Sequence, residues 1–220
     1  MNYSIITPVK NEEKYIEGLI ESVRSQTVKP LEWIVVDDCS LDETTIIVEN
    51  YGIRCIPGCS NEVGYGKNVI KLFSQGFWAL TKETDIVVKL DADVRIEKDY
   101  FETILREFEQ DDNLGLCGGW TEEQRSNKHV RGAFKAYRSV AVEIPYVNNW
   151  DSKDEVLLRK NGWKIKVIDK KVELARRTHT NTAYEMGKIH RGAAMPFHLS
   201  VRKSVKLFIN FWRGYLCGKV

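Results

Sequence analysis

Short apolar runs alternate with stretches of helical period through the first half of the chain. Tyr3 to Thr7 reads as a strand stopped by Pro8. Ile16, Leu19, Ile20 and Val23 then fall at i, i+3, i+4 and i+7, the pattern of a helix with one buried face, and Asn11 is placed to cap it. Leu31 to Val36 is a second strand, closing on Asp37-Asp38-Cys39-Ser40. Ser40 to Glu43 has the form of a capping segment for a helix from Asp42 to Tyr51. A short strand at Arg54 to Pro57 precedes a glycine-bearing loop, Asn61 to Asn68. That loop opens a helix carrying Val69, Ile70, Leu72, Phe73, Phe77 and Leu80. Ile86 to Leu90 reads as a buried strand that runs into Asp91-Ala92-Asp93. Lys98 to Gln110 is a helix with Phe101, Ile104, Leu105 and Phe108 on one face, and Leu114 to Trp120 a further strand.

The second half is less regular. His129 to Val142 mixes basic and aromatic residues and is expected to be partly helical. A helix begins at Trp150, with Asp151 as its cap and Val156, Leu157 and Leu158 for an apolar face. Asn161-Gly162 ends it, and Trp163 to Ile168 is a strand. Strands alternating with helices predict an α/β fold, a mostly parallel central sheet with helices on both faces. No linker-like stretch divides it, so residues 1–175 read as a single domain, followed by a C-terminal helical tail over 176–220.

Composition narrows the classes. The 220 residues are 43% hydrophobic, enough for a sizeable core, and the net charge of +2 does not argue for nucleic acid. Five scattered cysteines suggest reduced cytosolic thiols, with a Cys55–Cys59 bridge as the alternative. The first residues enter a strand at once, without the features of a signal peptide. No apolar run approaches the ~20 residues of a membrane-spanning helix. The expected location is cytoplasmic.

The candidate chemistry lies where strands end: Thr7 to Glu12, Asp37/Asp38 and Asp91/Asp93. The carboxyl edge of an open α/β sheet is where such folds bind ligands. Asp91 and Asp93 offer hard oxygen donors suited to Mg²⁺ or Mn²⁺, which could bridge to a diphosphate, while Ala92 leaves room for the ligand. The turn after the first strand has no glycine, and Gly64-Tyr65-Gly66 lacks the third glycine of a dinucleotide fingerprint. Phosphate charge would have to be met by a metal and basic side chains.

Thr7-Pro8-Val9-Lys10-Asn11-Glu12, Ser25-Gln26-Thr27, Val35-Val36-Asp37-Asp38-Cys39-Ser40 and Leu90-Asp91-Ala92-Asp93, in this order, resemble the family-2 glycosyltransferases of the GT-A fold. Tyr137-Arg138, Asn149 to Glu155 and Gly162-Trp163-Lys164 are similar to the acceptor-side pattern of bacterial and archaeal members. The resemblance implies a nucleotide-sugar part over 1–120 and an acceptor-side part over 121–175. It implies that Thr7, Pro8, Val9 and Glu12 line the base and ribose pocket. Asp38, with Asp37 beside it, would accept from the base. Lys67 would approach the base or the phosphates. Asp91 would sit near ribose and metal, and Asp93 would ligate the metal. The helix from Trp150 would carry the general base of an inverting transfer: Asp154 first, then Asp151, then Glu155. All three can share one helix face. Relatives often carry a His-His-Arg-like stretch after the last strand. Here Leu174-Ala175-Arg176-Arg177-Thr178-His179 stands instead, leaving either His179 as a third metal ligand or Arg176 and Arg177 on the diphosphate.

Residues 178–194, polar and rich in small side chains, are either a loop that closes over the donor or ordinary surface. Leu207, Phe208, Phe211, Trp212, Tyr215 and Leu216 form a helical stripe, flanked by Arg202, Lys203, Lys206 and Arg213. That amphipathic helix over 200–217 suits the anionic inner face of a membrane, or packing on protein. The acceptor would be a saccharide, a lipid-linked group or a protein. Two other classes stand beside the transferase. A nucleotidyltransferase making nucleotide-sugars would need a Gly-rich, Arg-containing first turn, which Pro8 to Glu12 lacks. A non-catalytic sugar-nucleotide module would fit the arginine departure but not the intact acids.

Overall fold

In the computed structural model, the described residues are 1–58, 67–122, 128–142 and 150–176. The strands are β1 (Tyr3–Val9), β2 (Glu32–Asp37), β3 (Arg54–Pro57), β4 (Ile86–Leu90), β5 (Val94–Ile96), β6 (Leu114–Trp120), β7 (Phe134–Arg138) and β8 (Lys164–Leu174). The helices are α1 (Ile16–Arg24), α2 (Thr44–Asn50), α3 (Lys67–Trp78), α4 (Tyr100–Gln110) and α5 (Trp150–Lys160). The strands form one eight-stranded sheet in the order β3-β2-β1-β4-β7-β6-β8-β5. The fold is α/β with a mixed central sheet. β3, β2, β1 and β4 run parallel, as does β8 beside β6, while β7 is antiparallel to both neighbours and β5 is antiparallel to β8.

Every residue of β1 and β4 is buried, because the centre of the sheet is covered on both faces. α1 buries Ile16, Leu19, Ile20 and Val23, the stripe its period predicts. α4 buries Tyr100, Phe101, Ile104, Leu105 and Phe108. α3 packs so closely on β1 and β2 that a Cβ at Gly76 would collide with Ile6 and lie 3.0 Å from Val36.

Several local expectations are corrected. Phe134 to Arg138, in the stretch expected to be partly helical, is the central antiparallel strand, and only Ser139–Ala141 forms a 3-10 turn. β8 runs eleven residues rather than six, because it pairs first with β6 and then with β5. Asn11 does not cap α1. It sits at φ 55°, and its side chain accepts from the Leu41 amide at 2.8 Å. Cys39 and Cys55 are free thiols, and Cys59 lies outside the described residues.

The chain divides into Met1–Ala175 and Arg176–Val220. Of the second unit only Arg176 is described, so the closing loop and the amphipathic helix expected there lie outside the described residues.

Candidate active site

The parallel register brings the ends of β1, β2 and β4 to one edge. Val9 stands beside Asp37, and Ile6 beside Lys89. The loops after β1 and β2 are stitched together. The Asp38 amide donates to the Val9 carbonyl at 2.9 Å, the Asn11 amide to Ser40 Oγ at 2.9 Å and the Glu12 amide to Thr44 Oγ1 at 2.7 Å. Both loops contain a non-glycine residue in the left-handed region, Asn11 and Cys39 at φ 55° and 57°. Such backbone is uncommon and concentrates at functional sites.

Beside these loops Asp38 is buried and pairs with the exposed Lys10 at 3.1 Å. Asp37 accepts from the Ser40 amide at 3.1 Å, forming the turn itself. Thr7 faces inward, where its Oγ1 accepts from the Trp33 indole at 3.0 Å. Pro8 and Val9 are buried, and Glu12 is half-buried at the start of α1. Lys67 opens α3, with its side chain outside the described atoms.

Asp91-Ala92-Asp93 forms the tight turn between β4 and β5, with Asp91 and Asp93 half-buried and Ala92 buried. Arg95 pins this turn to the start of α1. Its guanidinium donates to the Val94 carbonyl at 2.9 Å and to the Tyr15 carbonyl at 2.9 Å. The Asp91 amide donates to the Ala133 carbonyl at 2.8 Å, and the Ala175 amide to the Asp93 carbonyl at 2.8 Å. Asp91 is ion-paired with Lys89 beneath it. Among the described residues no three acids, histidines or cysteines gather as a metal cluster. Two carboxylates at an open turn nevertheless suit Mg²⁺ or Mn²⁺, which are commonly held by one or two carboxylates plus substrate phosphates. Arg176 is exposed, while Arg177 and His179 lie outside the described residues.

The acceptor-side acids separate. Asp154 is 0% exposed, and both its oxygens are taken up, by Lys135 Nζ at 2.9 and 2.8 Å and by the Tyr137 hydroxyl at 2.6 Å. Burial and the Asp154 charge push the Tyr137 hydroxyl well above its ordinary pKa, so it stays a donor. Glu155 is also buried, accepting from the Val130 amide at 2.8 Å and pairing with His129 at 3.0 Å. Asp151 is half-buried in the first turn of α5. Its carboxylate lies against Gly132, where a Cβ would come within 3.3 Å of Oδ2. Gly132 in turn offers its carbonyl to Lys89, the partner of Asp91, at 2.7 Å. The three acids therefore stand in different surroundings. Asp154 and Glu155 are buried among partners on β7 and its flank, while Asp151 lies against Gly132, whose carbonyl Lys89 holds. Helical spacing could not separate them, since i, i+3 and i+4 neighbours are close on the helix surface whichever way it is turned.

Sequence reasoning missed Lys89, Lys135 and Trp150. The signal was a lysine inside an otherwise apolar strand, in Ile86 to Leu90 and again in Phe134 to Tyr137, because lysine is almost never fully buried without a partner.

Residues 4–183 match the family described as glycosyl transferase family 2. The chain belongs to this family. It is 37% identical over 93 residues to poly(ribitol-phosphate) beta-N-acetylglucosaminyltransferase of Staphylococcus aureus, a match covering 39% of this chain and 16% of that protein. It is 34% identical over 116 residues to 4,4'-diaponeurosporenoate glycosyltransferase of Staphylococcus aureus, covering 51% of this chain and 30% of the relative. The match thus spans a third or less of the length of these curated relatives. Among solved structures, glucosyl-3-phosphoglycerate synthase of Mycobacterium tuberculosis, with Mn²⁺, uridine diphosphate and phosphoglyceric acid, superposes with a TM-score of 0.66 at 16% identity. It covers 87% of this chain and 77% of that one. A mannosyltransferase of Pyrobaculum calidifontis with GDP-Man and Mn²⁺ gives 0.68 at 16% identity, covering 99% and 70%. These likenesses establish the GT-A fold for this family-2 chain.

Proposed function

We propose that the chain moves a sugar from a nucleoside-diphosphate sugar to an acceptor hydroxyl, with inversion. The observation that carries this reading is the meeting of the Asp91-Ala92-Asp93 turn and Asp151 at one sheet edge, with Gly132 between them. The stitched loops after β1 and β2 would hold the nucleoside, with Asp38 accepting from the base once Lys10 yields it. Asp93, supported by Asp91, would hold Mg²⁺ or Mn²⁺. A divalent ion there supplies Lewis-acid neutralisation of the departing diphosphate. Asp151 would take the acceptor proton as the hydroxyl oxygen bonds to the anomeric carbon and the carbon–diphosphate bond breaks. Attack opposite the leaving group inverts the anomeric centre.

Mn²⁺ and nucleoside diphosphates in the fold neighbours support the donor class. The different names of the relatives leave the sugar and acceptor open. The basic, aromatic segment over 200–217 would suit an acceptor at the inner face of a membrane. Among the described residues no helix is long and apolar enough to cross one.

The test is calorimetric titration with UDP and GDP, with and without Mn²⁺. Metal-dependent binding of one of them, lost in Asp93→Ala, is the expected result. Failure to bind either nucleotide with the metal present would remove the reading.

A further inference from the structure

Lys89 on β4 and Lys135 on β7 stand directly opposite each other in an antiparallel ladder. They are 1% and 0% exposed. Like charges directly opposite across two strands destabilise a sheet, and a buried ammonium needs partners. Each lysine has its own. Lys89 holds the Asp91 carboxylate and donates to the Gly132 carbonyl at 2.7 Å. Lys135 holds both oxygens of Asp154 and donates to the Asp151 carbonyl at 2.6 Å. The Trp150 ring lies near both, 5.4 Å from each ammonium, close enough for cation–π attraction. Apolar residues of similar volume would fill this space as stably or more so. The two lysines instead reach two groups that must be placed accurately: the carboxylate of Asp91, and the main chain of the residue that carries the proposed base.

We infer that Lys89, Trp150 and Lys135 form a buried clamp that fixes Asp91 and Asp151 relative to each other, with both lysines as positioning residues. The inference rests on the transferase reading above. Lys89 holds the donor-side carboxylate down onto β4. Lys135 ties the first turn of α5 to β7, so the Asp151 side chain leaves the helix at one fixed point of the sheet edge. Trp150, one residue before Asp151, is the spacer between the two charges. The clamp touches neither donor nor acceptor. It makes the distance between metal side and base side a property of two adjacent, hydrogen-bonded strands.

The experiment compares Lys135→Met with the double variant Lys135→Met/Asp154→Asn. The readouts are melting temperature, UDP and GDP affinity in Mn²⁺, and kcat and KM for release of nucleoside diphosphate from a panel of nucleotide-sugars, with water as acceptor. The single variant leaves Asp154 charged and without its main partner, so its melting temperature falls. The double variant removes both charges and regains most of it. The clamp requires that kcat nevertheless stays roughly 10- to 100-fold down in the double variant, as a misplaced catalytic group predicts. Donor KM and nucleotide affinity should stay within about twofold of wild type, since only groups acting in the transition state are displaced. Recovery of kcat together with melting temperature would show that Lys135 only neutralises Asp154, and would overturn the clamp while leaving the transferase intact. A wild type that binds neither nucleotide would overturn the transferase reading itself and, with it, the purpose assigned to the clamp.

Discussion

Asp151 and Asp154 sit three residues apart on one helix and are assigned opposite roles. The difference is where each carboxylate spends its charge. Asp154 is enclosed by Lys135 and Tyr137 with no exposed surface. Asp151 offers its main-chain carbonyl to Lys135, and its carboxylate lies half-buried against Gly132. Asp151→Asn should therefore keep nucleotide binding and melting temperature while abolishing transfer. Asp154→Asn should retain measurable transfer but lower stability by about 3 kcal/mol, because breaking a buried pair leaves its other charge uncompensated. Urea titration alongside an assay of released nucleotide separates the two. A dead but fully stable Asp154→Asn would return the base to Asp154. At this scale the sequence was legible where a carboxylate ends an apolar run, as at Asp91 and Asp93. It was illegible where the decision depends on which side of a helix meets the sheet. That direction is set by β7, whose lysine and tyrosine face α5 and were not visible as strand residues.

Elements matter here because the metal-side turn is held from two directions. β5 and the end of β8 pair Val94 with Leu174, and the next amide, Ala175, bonds the carbonyl of Asp93. β8 reaches that point only because it slips register against β6 between Gly118 and Trp120. Gly119 lies in the slip. Its amide donates to the Tyr100 hydroxyl at 2.9 Å, and a Cβ there would collide with the Lys170 carbonyl and sit 2.9 Å from Val172. Gly119→Ala should push β8 outward and lower stability by about 1–3 kcal/mol, the usual range for overpacking. Because Ala175 directly follows β8, Mn²⁺-dependent nucleotide affinity should fall with it, which calorimetry on the folded variant would detect. Unchanged affinity would mean that Arg95, Lys89 and the Ala133 carbonyl set the turn without β8. The parallel half of the sheet was readable from alternating strands and amphipathic helices. The antiparallel insertion was not. Phe134-Lys135-Ala136-Tyr137-Arg138 sets Lys135 with Tyr137 on one face and Phe134 with Ala136 on the other, and all four are buried although a lysine suggests solvent. A strand covered on both faces loses the period-2 signature.

For the molecule as a whole, the net charge of +2 at pH 7 leaves little bulk repulsion there, and acid sensitivity begins with the carboxylates whose native pairs are lost as pH falls. Burial raises the Glu155 carboxyl, but the hydrogen bond from His129, the Lys135 charge and the Val130 amide outweigh it. The folded value falls below the ordinary 4.5. A lowered folded pKa means that the unfolded chain binds the proton more readily. The stability Glu155 contributes is therefore complete above pH 4.5 and is lost as pH falls through the lower, folded value. Asp99 beside Lys170 and Asp111 beside Lys164 shift in the same direction, but these pairs lie at the surface, open to solvent in part and screened by salt. Melting temperature measured across the acid range at low and high salt should thus show two components. The part that high salt removes belongs to the surface pairs. The part that persists belongs to Glu155, which ties α5 to His129 and Val130. Glu155→Gln should melt below wild type at neutral pH, and the gap should narrow as pH drops under 4.5. A gap that stays constant through that range would mean that the Glu155 side chain contributes by shape and hydrogen bonding, with its charge irrelevant to holding α5 in place.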